Sequence, residues 1–453
     1  MSSITLGQAA LWCGGRVEEK YADGAFLGAN NDSRKLLPGQ LFIALEGARD
    51  GHDYIPMAME KGAAAALCKR TVGDHPAIVV EDPLKALGQI AAEHCRQIGM
   101  KVVGVTGSVG KSTTKEMIAA VLDGDYVVSK TPANHNNDIG MPIAILAMPE
   151  NTQIAVLEMG MSHFGEIAYL TNIAKPDAAV IVNIGTMHIE NLGSREGILR
   201  AKLEILEGLK PGAKVYLNGD DDMLWSSRRS LGRTAVYFGK ENTESDLRAR
   251  VLSGKPGTLN FQVAAEDDVF TVELPLEGDH YICDALAAIG IGLHFGVSPH
   301  RISQRLSQFQ NMEGRQEIFH AKDCTIIKDC YNAGPESVAA ALQVLKNRQG
   351  RRIAVLGEML ELGEYAPAEH EKVGAMAAQC ADVLLALGPN RERMIAAAIA
   401  AGMNPENTGS FADHAAMAES LRQNCREGDV LLVKGSRGMR MELVLEQFLK
   451  EER

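Results

Sequence analysis

A glycine-rich segment, Gly107-x-x-Gly110-Lys111-Ser112, carries the clearest chemistry in the sequence. An apolar strand pattern precedes it, and residues 113–122 have helical spacing. Glycines let backbone N–H groups close on phosphate oxygens, lysine neutralises phosphate, and a serine hydroxyl can ligate magnesium. The first glycine of the full G-x-x-x-x-G-K-[ST] pattern is replaced by Val105. The context favours an ATP or GTP loop over a simple turn before a helix.

Three further residues are candidates for the same site. Glu158 ends the apolar strand 154–157, where a second magnesium ligand belongs. His188 follows the strand 178–184 by a short loop, and Lys202 lies fourteen residues further on. Helical spacing alone places Lys202 on a solvated flank, beside an apolar stripe of Leu199, Leu203 and Leu206.

The elements that must position these residues predict an α/β protein of three domains. Residues 1–98 mix short apolar runs such as 41–45 with turn signals and indicate a small α/β domain. Residues 99–314 alternate wholly apolar strands with helices, which predicts a P-loop ATPase-like domain with a mainly parallel sheet. Residues 315–453 repeat the cycle with apolar runs at 353–357, 382–388 and 429–435, which predicts a Rossmann-like domain. None of these runs leads into G-x-G-x-x-G, so a dinucleotide cofactor is not supported.

Composition narrows the range of partners. The chain has 453 residues with 46 Lys and Arg against 58 Asp and Glu, a net charge of -12 that disfavours nucleic acid. The eight cysteines include no C-x-x-C pair, which favours free thiols in a reducing compartment. The longest uncharged apolar stretch, 285–299, is too short for a membrane span, and the N-terminus has no basic leader pattern. We therefore expect a cytoplasmic protein without a membrane span.

Segments throughout the chain resemble the Mur ligases, amide-forming enzymes of peptidoglycan precursor synthesis. In the first predicted domain they are Asp32–Leu36, Pro38–Leu45 and Asp50–His52. In the second they are Thr106–Thr114 and Thr131–Pro142, and in the third Cys330–Pro335, Val355–Gly363 and Val433–Met439. The third-domain segments are similar to the family member that adds D-alanyl-D-alanine. The diaminopimelate-adding member carries D-N-P-R in its C-terminal domain, and this sequence does not.

The resemblance implies a role for each matching residue. ATP would be held by Gly107, Ser108, Val109, Gly110, Lys111, Ser112, Thr113, Arg315 and Asn332. Two Mg²⁺ ions would be held by Ser112, Glu158, His188 and Lys202, the last carbamylated by carbon dioxide. Lys111, His188 and Lys202 are thus the expected catalytic residues. Substrate would contact Ser33, Arg34, Thr131, Asn134, Asn136, Asn137 and Lys434. The family's two adenine-side asparagines are replaced by Tyr281 and Asp284.

The resemblance also implies the reaction. UDP-N-acetylmuramoyl-tripeptide, bound through its UDP end by the first domain, and D-alanyl-D-alanine would be joined through an acyl phosphate by a monomeric ATP-dependent ligase. One alternative is another amide ligase of the superfamily, of the diaminopimelate-adding or folylpolyglutamate type. The other is a non-ligase P-loop nucleotide switch.

Overall fold

The computed structural model describes residues 3–252, 257–266 and 268–450. The extreme ends of the predicted domain ranges, residues 1–2 and 451–453, lie outside them. Three main sheets follow one another along the chain, which confirms the predicted mixed α/β fold. We refer to residues 3–98, 99–314 and 315–450 as the N-terminal, central and C-terminal parts.

The N-terminal part holds a parallel sheet of order β3-β4-β5-β6 and a two-stranded antiparallel pair, β1-β2. Its strands are β1 (Ile4–Thr5), β2 (Ala25–Phe26), β3 (Ala29–Asn30), β4 (Leu41–Ile43), β5 (Ala65–Cys68) and β6 (Ala77–Val79). Its helices are α1 (Leu6–Cys13), α2 (Ile55–Glu60) and α3 (Pro83–Ile98). Asp82 fixes the start of α3 because its side chain accepts from the N–H groups of Leu84 and Lys85.

The central part holds a nine-stranded sheet of order β15-β14-β13-β12-β11-β10-β7-β9-β8. Its strands are β7 (Lys101–Thr106), β8 (Val128–Lys130), β9 (Ile154–Glu158), β10 (Ala178–Ile181), β11 (Lys214–Asn218), β12 (Ala235–Gly239), β13 (Leu247–Val251), β14 (Leu259–Ala265) and β15 (Asp268–Leu274). Its helices are α4 (Lys111–Leu122), α5 (Gly140–Leu146), α6 (Glu166–Ala174), α7 (Ile189–Leu192), α8 (Arg195–Leu203), α9 (Asp222–Ser226), α10 (Arg228–Leu231), α11 (His280–His294) and α12 (Pro299–Leu306). Strand β7 pairs in parallel with both β9 and β10, so the carboxyl ends of these three strands meet at one edge.

Two details of the central sheet differ from the sequence expectation. Strand β10 ends at Ile181 rather than at residue 184, because Asn183 turns its side chain to the glycine-rich loop and accepts from Ser108 N and Val109 N at 3.1 and 2.9 Å. The sheet also continues into an antiparallel meander, β13-β14-β15. The apolar stretch 285–299 contributes most of α11, whose residues 284–292 are buried. Within the described residues, no helix has the length and apolarity to cross a membrane.

The C-terminal part holds a six-stranded sheet of order β16-β17-β21-β18-β19-β20. Its strands are β16 (Glu317–Ala321), β17 (Cys324–Asp329), β18 (Arg352–Leu356), β19 (Val383–Leu387), β20 (Thr408–Phe411) and β21 (Val430–Lys434). Its helices are α13 (Pro335–Lys346), α14 (Ala366–Cys380), α15 (Arg391–Ala400), α16 (His414–Asn424) and α17 (Glu442–Leu449). The three apolar runs predicted here form β18, β19 and β21, and only β16 is antiparallel to its neighbour.

Candidate functional site

A cavity of about 1070 Å³ lies between the carboxyl edge of the central sheet and the C-terminal part. The predicted site residues that line it are Ser108, Val109, Gly110, Lys111, Ser112, Thr113, Asn134, Asn136, Asn137, Glu158, His188, Arg315, Asn332 and Lys434. Those outside its lining are Ser33, Arg34, Gly107, Thr131 and Lys202. The cavity therefore brings together side chains more than 300 residues apart in the sequence.

The glycine-rich loop takes the conformation its composition predicts. Gly110 caps α4 with φ 85°, and a Cβ there would lie 2.7 Å from the Asp284 carboxylate. Lys111 Nζ donates to the carbonyl oxygens of Gly107 and Ser108 at 2.9 and 3.2 Å, and burial lowers the pKa of this amine. The N-terminus of α4 and its lysine thus face the cavity, where they favour an anion.

Glu158 lies at the end of β9 with a nearly fully buried carboxylate. Its Oε1 accepts from Asn136 Nδ2 at 2.8 Å, whereas its Oε2 is buried without a hydrogen-bond partner. An unsatisfied carboxylate oxygen in the cavity wall suits a divalent cation, because oxygen ligands are those magnesium prefers.

Lys115 contacts both Glu158 and Thr131 from the protein interior. This residue was not identified from the sequence. Its amine is fully buried, donates to Thr131 O at 2.8 Å and lies 3.3 Å from Glu116 Oε1 and 3.9 Å from Glu158 Oε2. The Thr131 hydroxyl accepts from Glu158 N at 3.0 Å. Thr131, predicted to contact substrate, therefore lies beneath the cavity wall and fixes the backbone of Glu158.

His188 faces the C-terminal part. Its Nδ1 lies 2.9 Å from Glu361 Oε2, an ion-pair distance without hydrogen-bond alignment. Both residues have left-handed backbones, with φ 64° for His188 and φ 65° for Glu361. Contact with His188 lowers the pKa of the Glu361 carboxyl. Left-handed backbone is uncommon outside glycine, so the surrounding loops must hold both residues in this backbone conformation.

Lys202 is buried, with 2% of its surface exposed, so the solvated position that helical spacing predicted is wrong. The fully buried side chains of this segment are those of Ile198, Ala201, Lys202 and Ile205, at helical spacing i, i+3, i+4, i+7. The predicted stripe of Leu199, Leu203 and Leu206 is half-buried and packs against the same core. Burial, and then the charge of Lys111, hold the pKa of this amine well below its usual value. It has neither a hydrogen bond nor an ion pair to any described residue.

The C-terminal part contributes three predicted residues. Arg315 Nη2 donates to Ser112 Oγ at 2.9 Å, and its guanidinium lies 4.1 Å from the centre of the Tyr331 ring. Lys434 Nζ donates to Asp329 Oδ2 at 2.6 Å and to Asn332 O at 3.0 Å. Arg315 therefore contacts the glycine-rich loop, whereas Lys434 is hydrogen-bonded to residues of the C-terminal part itself.

The two residues that replace the family's adenine-side asparagines, Tyr281 and Asp284, both lie on α11. Asp284 Oδ1 accepts from Thr114 Oγ1 at 2.9 Å, and burial raises the pKa of this carboxyl to about 7. The Tyr281 hydroxyl accepts from Asn311 Nδ2 at 3.0 Å. Both side chains line the cavity, so they can contact a bound nucleotide.

Two predicted substrate residues lie in the N-terminal part. Ser33 is buried, with its hydroxyl 3.5 Å from Met57 Sδ. Arg34 makes two hydrogen bonds to the Asp32 carboxylate, both at 2.9 Å, from an exposed position. Neither residue reaches the central cavity, so any ligand that they hold must extend beyond it.

Among residues 3–252, 257–266 and 268–450, no three or more His, Cys, Asp or Glu side chains are arranged to hold a metal ion. The predicted ligands are instead of mixed type, namely the Ser112 hydroxyl, the Glu158 carboxylate and the His188 imidazole. A metal there would need further oxygen donors, such as phosphate or a carbamate on Lys202.

Comparison with known families decides the membership of the chain. Residues 27–95 match the model for the Mur ligase family catalytic domain, residues 105–292 match the Mur ligase middle domain, and residues 314–437 match the Mur ligase glutamate ligase domain. The chain belongs to the Mur ligase family. Family members named UDP-N-acetylmuramoyl-tripeptide--D-alanyl-D-alanine ligase include one from Bacillus subtilis, 38% identical over 95% of both chains, and one from Escherichia coli, 35% identical over 98% of both.

Solved structures of family members agree with this assignment. A crystal structure of MurF from Acinetobacter baumannii superposes with a TM-score of 0.92 at 30% identity over the full length of both chains. MurF from Thermotoga maritima in complex with ADP gives a TM-score of 0.83 at 32% identity, over 94% of this chain and 97% of that one. The three-sheet architecture is thus that of the family.

Proposed function

We propose that this Mur ligase joins D-alanyl-D-alanine to UDP-N-acetylmuramoyl-tripeptide with hydrolysis of ATP to ADP and phosphate. The observation that carries the proposal is the near-complete coverage by relatives of that name, at up to 39% identity. The cavity supports it, because the phosphate loop and the C-terminal part line one space. The alternatives of a nucleotide switch and of a different amide ligase have no comparable support.

The reaction requires two bond exchanges in one water-poor space. A peptide carboxylate oxygen bonds to the γ-phosphorus of ATP, the bond from that phosphorus to ADP breaks, and an acyl phosphate results. The amine of the dipeptide then bonds to the acyl carbon, phosphate leaves, and the amine loses a proton. Lys111, the α4 N-terminus and Arg315 are placed to hold the phosphates in line.

Two cofactors fit the residues present. We assign magnesium to Ser112, Glu158 and His188, since Glu158 Oε2 is an unsatisfied oxygen in the cavity wall. Magnesium, when bound, would neutralise phosphate charge during transfer. A carbamate on Lys202 fits as well: burial lowers the pKa of this amine, which favours the unprotonated form that attacks carbon dioxide, and the amine has no hydrogen bond or ion pair to any described residue.

We further propose a division of labour among three domains with borders near residues 98 and 314. The N-terminal domain would hold the UDP end through Ser33 and Arg34, and Asn134, Asn136 and Asn137 would contact the muramoyl group. The chain would act as a monomer in the cytoplasm. All eight cysteines are free, which supports a reducing compartment.

Phosphate release tests the proposal. The enzyme is incubated with ATP, UDP-N-acetylmuramoyl-tripeptide and D-alanyl-D-alanine, and then with each omitted in turn. We expect turnover only with all three. Turnover without the dipeptide would indicate a nucleotide switch, and turnover only with free glutamate or diaminopimelate would indicate another ligase of the family.

A further inference from the structure

The proposed acceptor, D-alanyl-D-alanine, has charges at both ends, an ammonium that must react and a carboxylate that must not. A ligase that adds it correctly needs a cation for the carboxylate, away from the phosphate loop. Arginine suits this task because its planar fork donates two parallel hydrogen bonds to a carboxylate. The need for such a cation rests on the proposed function.

Two loops of the C-terminal part form one rim of the cavity, residues 357–363 and 435–439. Ser436 joins them: its N–H donates to Glu358 O at 3.0 Å, and its hydroxyl accepts from Leu360 N at 2.9 Å. The first loop carries Glu361 into the cavity and the second carries Arg437. This rim, which we call the acceptor rim, therefore presents one carboxylate and one guanidinium on loops that are bonded together.

Arg437 is the cavity-lining cation left open for a ligand. The basic side chains of the lining are Lys111, Arg315, Lys328, Lys434 and Arg437, apart from its histidines. Lys111 is part of the glycine-rich loop, Arg315 is hydrogen-bonded to Ser112 of that loop, Lys434 is bonded to Asp329, and Lys328 lies between Glu313 and Glu317.

The guanidinium of Arg437, by contrast, makes no hydrogen bond within the described residues. Its side chain is 69% exposed, and its one ion pair is to Glu442 Oε1 at 3.6 Å. Its backbone is bonded on both sides: the N–H donates to Asn332 Oδ1 at 3.3 Å, and the carbonyl oxygen accepts from Arg440 N at 3.2 Å. Because the backbone is fixed and the guanidinium is open, we propose that Arg437 binds the terminal carboxylate of the acceptor dipeptide.

Glu361, on the other loop of the acceptor rim, indicates how a bound dipeptide would be oriented. Glu361 reaches His188 at 2.9 Å and lies close enough to Lys111 for that cation to lower its carboxyl pKa, after the larger effect of His188. The Glu361 side of the acceptor rim therefore faces the phosphate loop, while Arg437 lies on the other loop of the rim. An extended dipeptide spans about 7 Å, so one whose carboxylate is bound by Arg437 would extend its amine across the rim toward Glu361 and the phosphate loop.

The test pairs a variant with a modified acceptor. Initial rates are measured for the wild-type enzyme, Arg437→Ala and Arg437→Lys, with D-alanyl-D-alanine and with its C-terminal amide. We expect Arg437→Ala to raise the KM for the dipeptide about 10- to 100-fold, the usual effect of losing a charge-assisted hydrogen bond. The KM values for ATP and the UDP-tripeptide should stay unchanged. Arg437→Lys keeps the charge but loses the planar, two-pronged guanidinium, so its KM for the dipeptide should lie between those of wild type and Arg437→Ala.

The preference for the acid over the amide separates carboxylate binding from a purely structural role, because a structural role would not change this preference. Wild type should prefer the acid to the amide, and Arg437→Ala should lose that preference. A variant that still discriminates as wild type does overturns the proposal, as does an equal loss in Arg440→Ala, an exposed arginine outside the cavity lining. Failure of the proposed function has a different signature, since wild-type enzyme would then show no turnover with either acceptor.

Discussion

At the residue scale, Lys202 combines burial with an unoccupied amine. A buried ammonium without a counter-ion is costly, and burial lowers the pKa of this amine, which favours the neutral form that reacts with carbon dioxide. We predict that Lys202→Ala lowers the rate of phosphate release at least about 100-fold, as loss of a group that supports a metal site does. A small carboxylic acid such as acetate should restore part of the rate, because it returns the lost anion to the space.

Two measurements check this prediction. Arg200→Ala is the matched control, since Arg200 lies on the same helix but stacks on Phe164 at the surface; it should keep wild-type activity. ¹³C-labelled carbon dioxide should give a carbamate NMR signal in wild type and not in Lys202→Ala. Full activity in the alanine variant would contradict the carbamate.

Asp284 predicts a pH dependence of stability. Burial raises its folded-state pKa to about 7, above the value of about 4 in an unfolded chain. The folded state then binds the proton more tightly, so stability is lost as the pH rises from about 4 to about 7. Asp284→Asn keeps an acceptor for Thr114 and removes the charge. We expect the variant to exceed wild type in unfolding free energy by on the order of 2 kcal/mol more at pH 8 than at pH 5.

Urea denaturation at pH 5 and pH 8 measures this difference. Asp222→Asn serves as the control, because Asp222 is paired with Arg195 near the surface and its pKa is lowered rather than raised. A constant difference between Asp284→Asn and wild type at both pH values would contradict the assignment.

Single residues also show where sequence reasoning ended. The phosphate loop was predictable because its residues are contiguous and the loop takes the shape that its glycines allow. Lys202 was not predictable from periodicity, since α8 buries a face whose most polar member is a lysine. Lys115 gave no signal beyond a charged pair in a helix, because its burial depends on Glu158, more than 40 residues away.

At the element scale, Lys115 ties helix α4 to strand β9 and to the segment after β8. We predict that Lys115→Met lowers the unfolding free energy by about 3 kcal/mol, because it leaves a buried carboxylate without its cation. Lys130→Met is the matched control: Lys130 pairs with the same Glu116 from an exposed position and should cost less than about 1 kcal/mol. Urea denaturation of both variants measures this loss. Equal losses of unfolding free energy in the two variants would show that the buried contact of Lys115 contributes no more to stability than the exposed contact of Lys130.

The strands around the site were predictable, and the edge of the central sheet was not. Strands β7, β9, β10 and β11 have apolar interiors because both faces of the sheet are covered there, so these apolar runs stand out in the sequence. Strand β14 alternates buried and half-buried residues, and its partners are set by hairpin pairing rather than by composition. The early end of β10 likewise depends on one contact, from Asn183 to the phosphate loop.

At the scale of the whole molecule, the C-terminal part docks on the phosphate edge through a few polar contacts. Arg315 bonds to Ser112, Glu336 to Thr186, and Glu361 pairs with His188. Each joins residues more than 140 apart, so no local pattern could have predicted them. Because these three contacts touch residues of the phosphate loop or of the loop that carries His188, we expect docking of this part to fix the geometry of the site.

Glu336 is the contact that tests this coupling. Its Oε1 accepts from both the N–H and the hydroxyl of Thr186, at 2.7 and 2.9 Å, two residues before His188. We predict that Glu336→Ala destabilises the docked form by about 2 kcal/mol, which raises the undocked fraction about 30-fold. Small-angle scattering should then give a larger radius of gyration, and kcat should fall. Glu336→Gln keeps one acceptor oxygen and should lose less.

Glu364→Ala provides the control for this experiment, because Glu364 is an exposed carboxylate of the C-terminal part with no hydrogen bond or ion pair in the described chain. It should leave both the radius of gyration and kcat at wild-type values. If Glu336→Ala lowered kcat with no change in scattering, the residue would act on the His188 loop alone. If neither quantity changed, docking would not depend on this carboxylate, and the coupling between the two parts would have to rest on their other contacts, such as those of Arg315, Arg348 and Glu361.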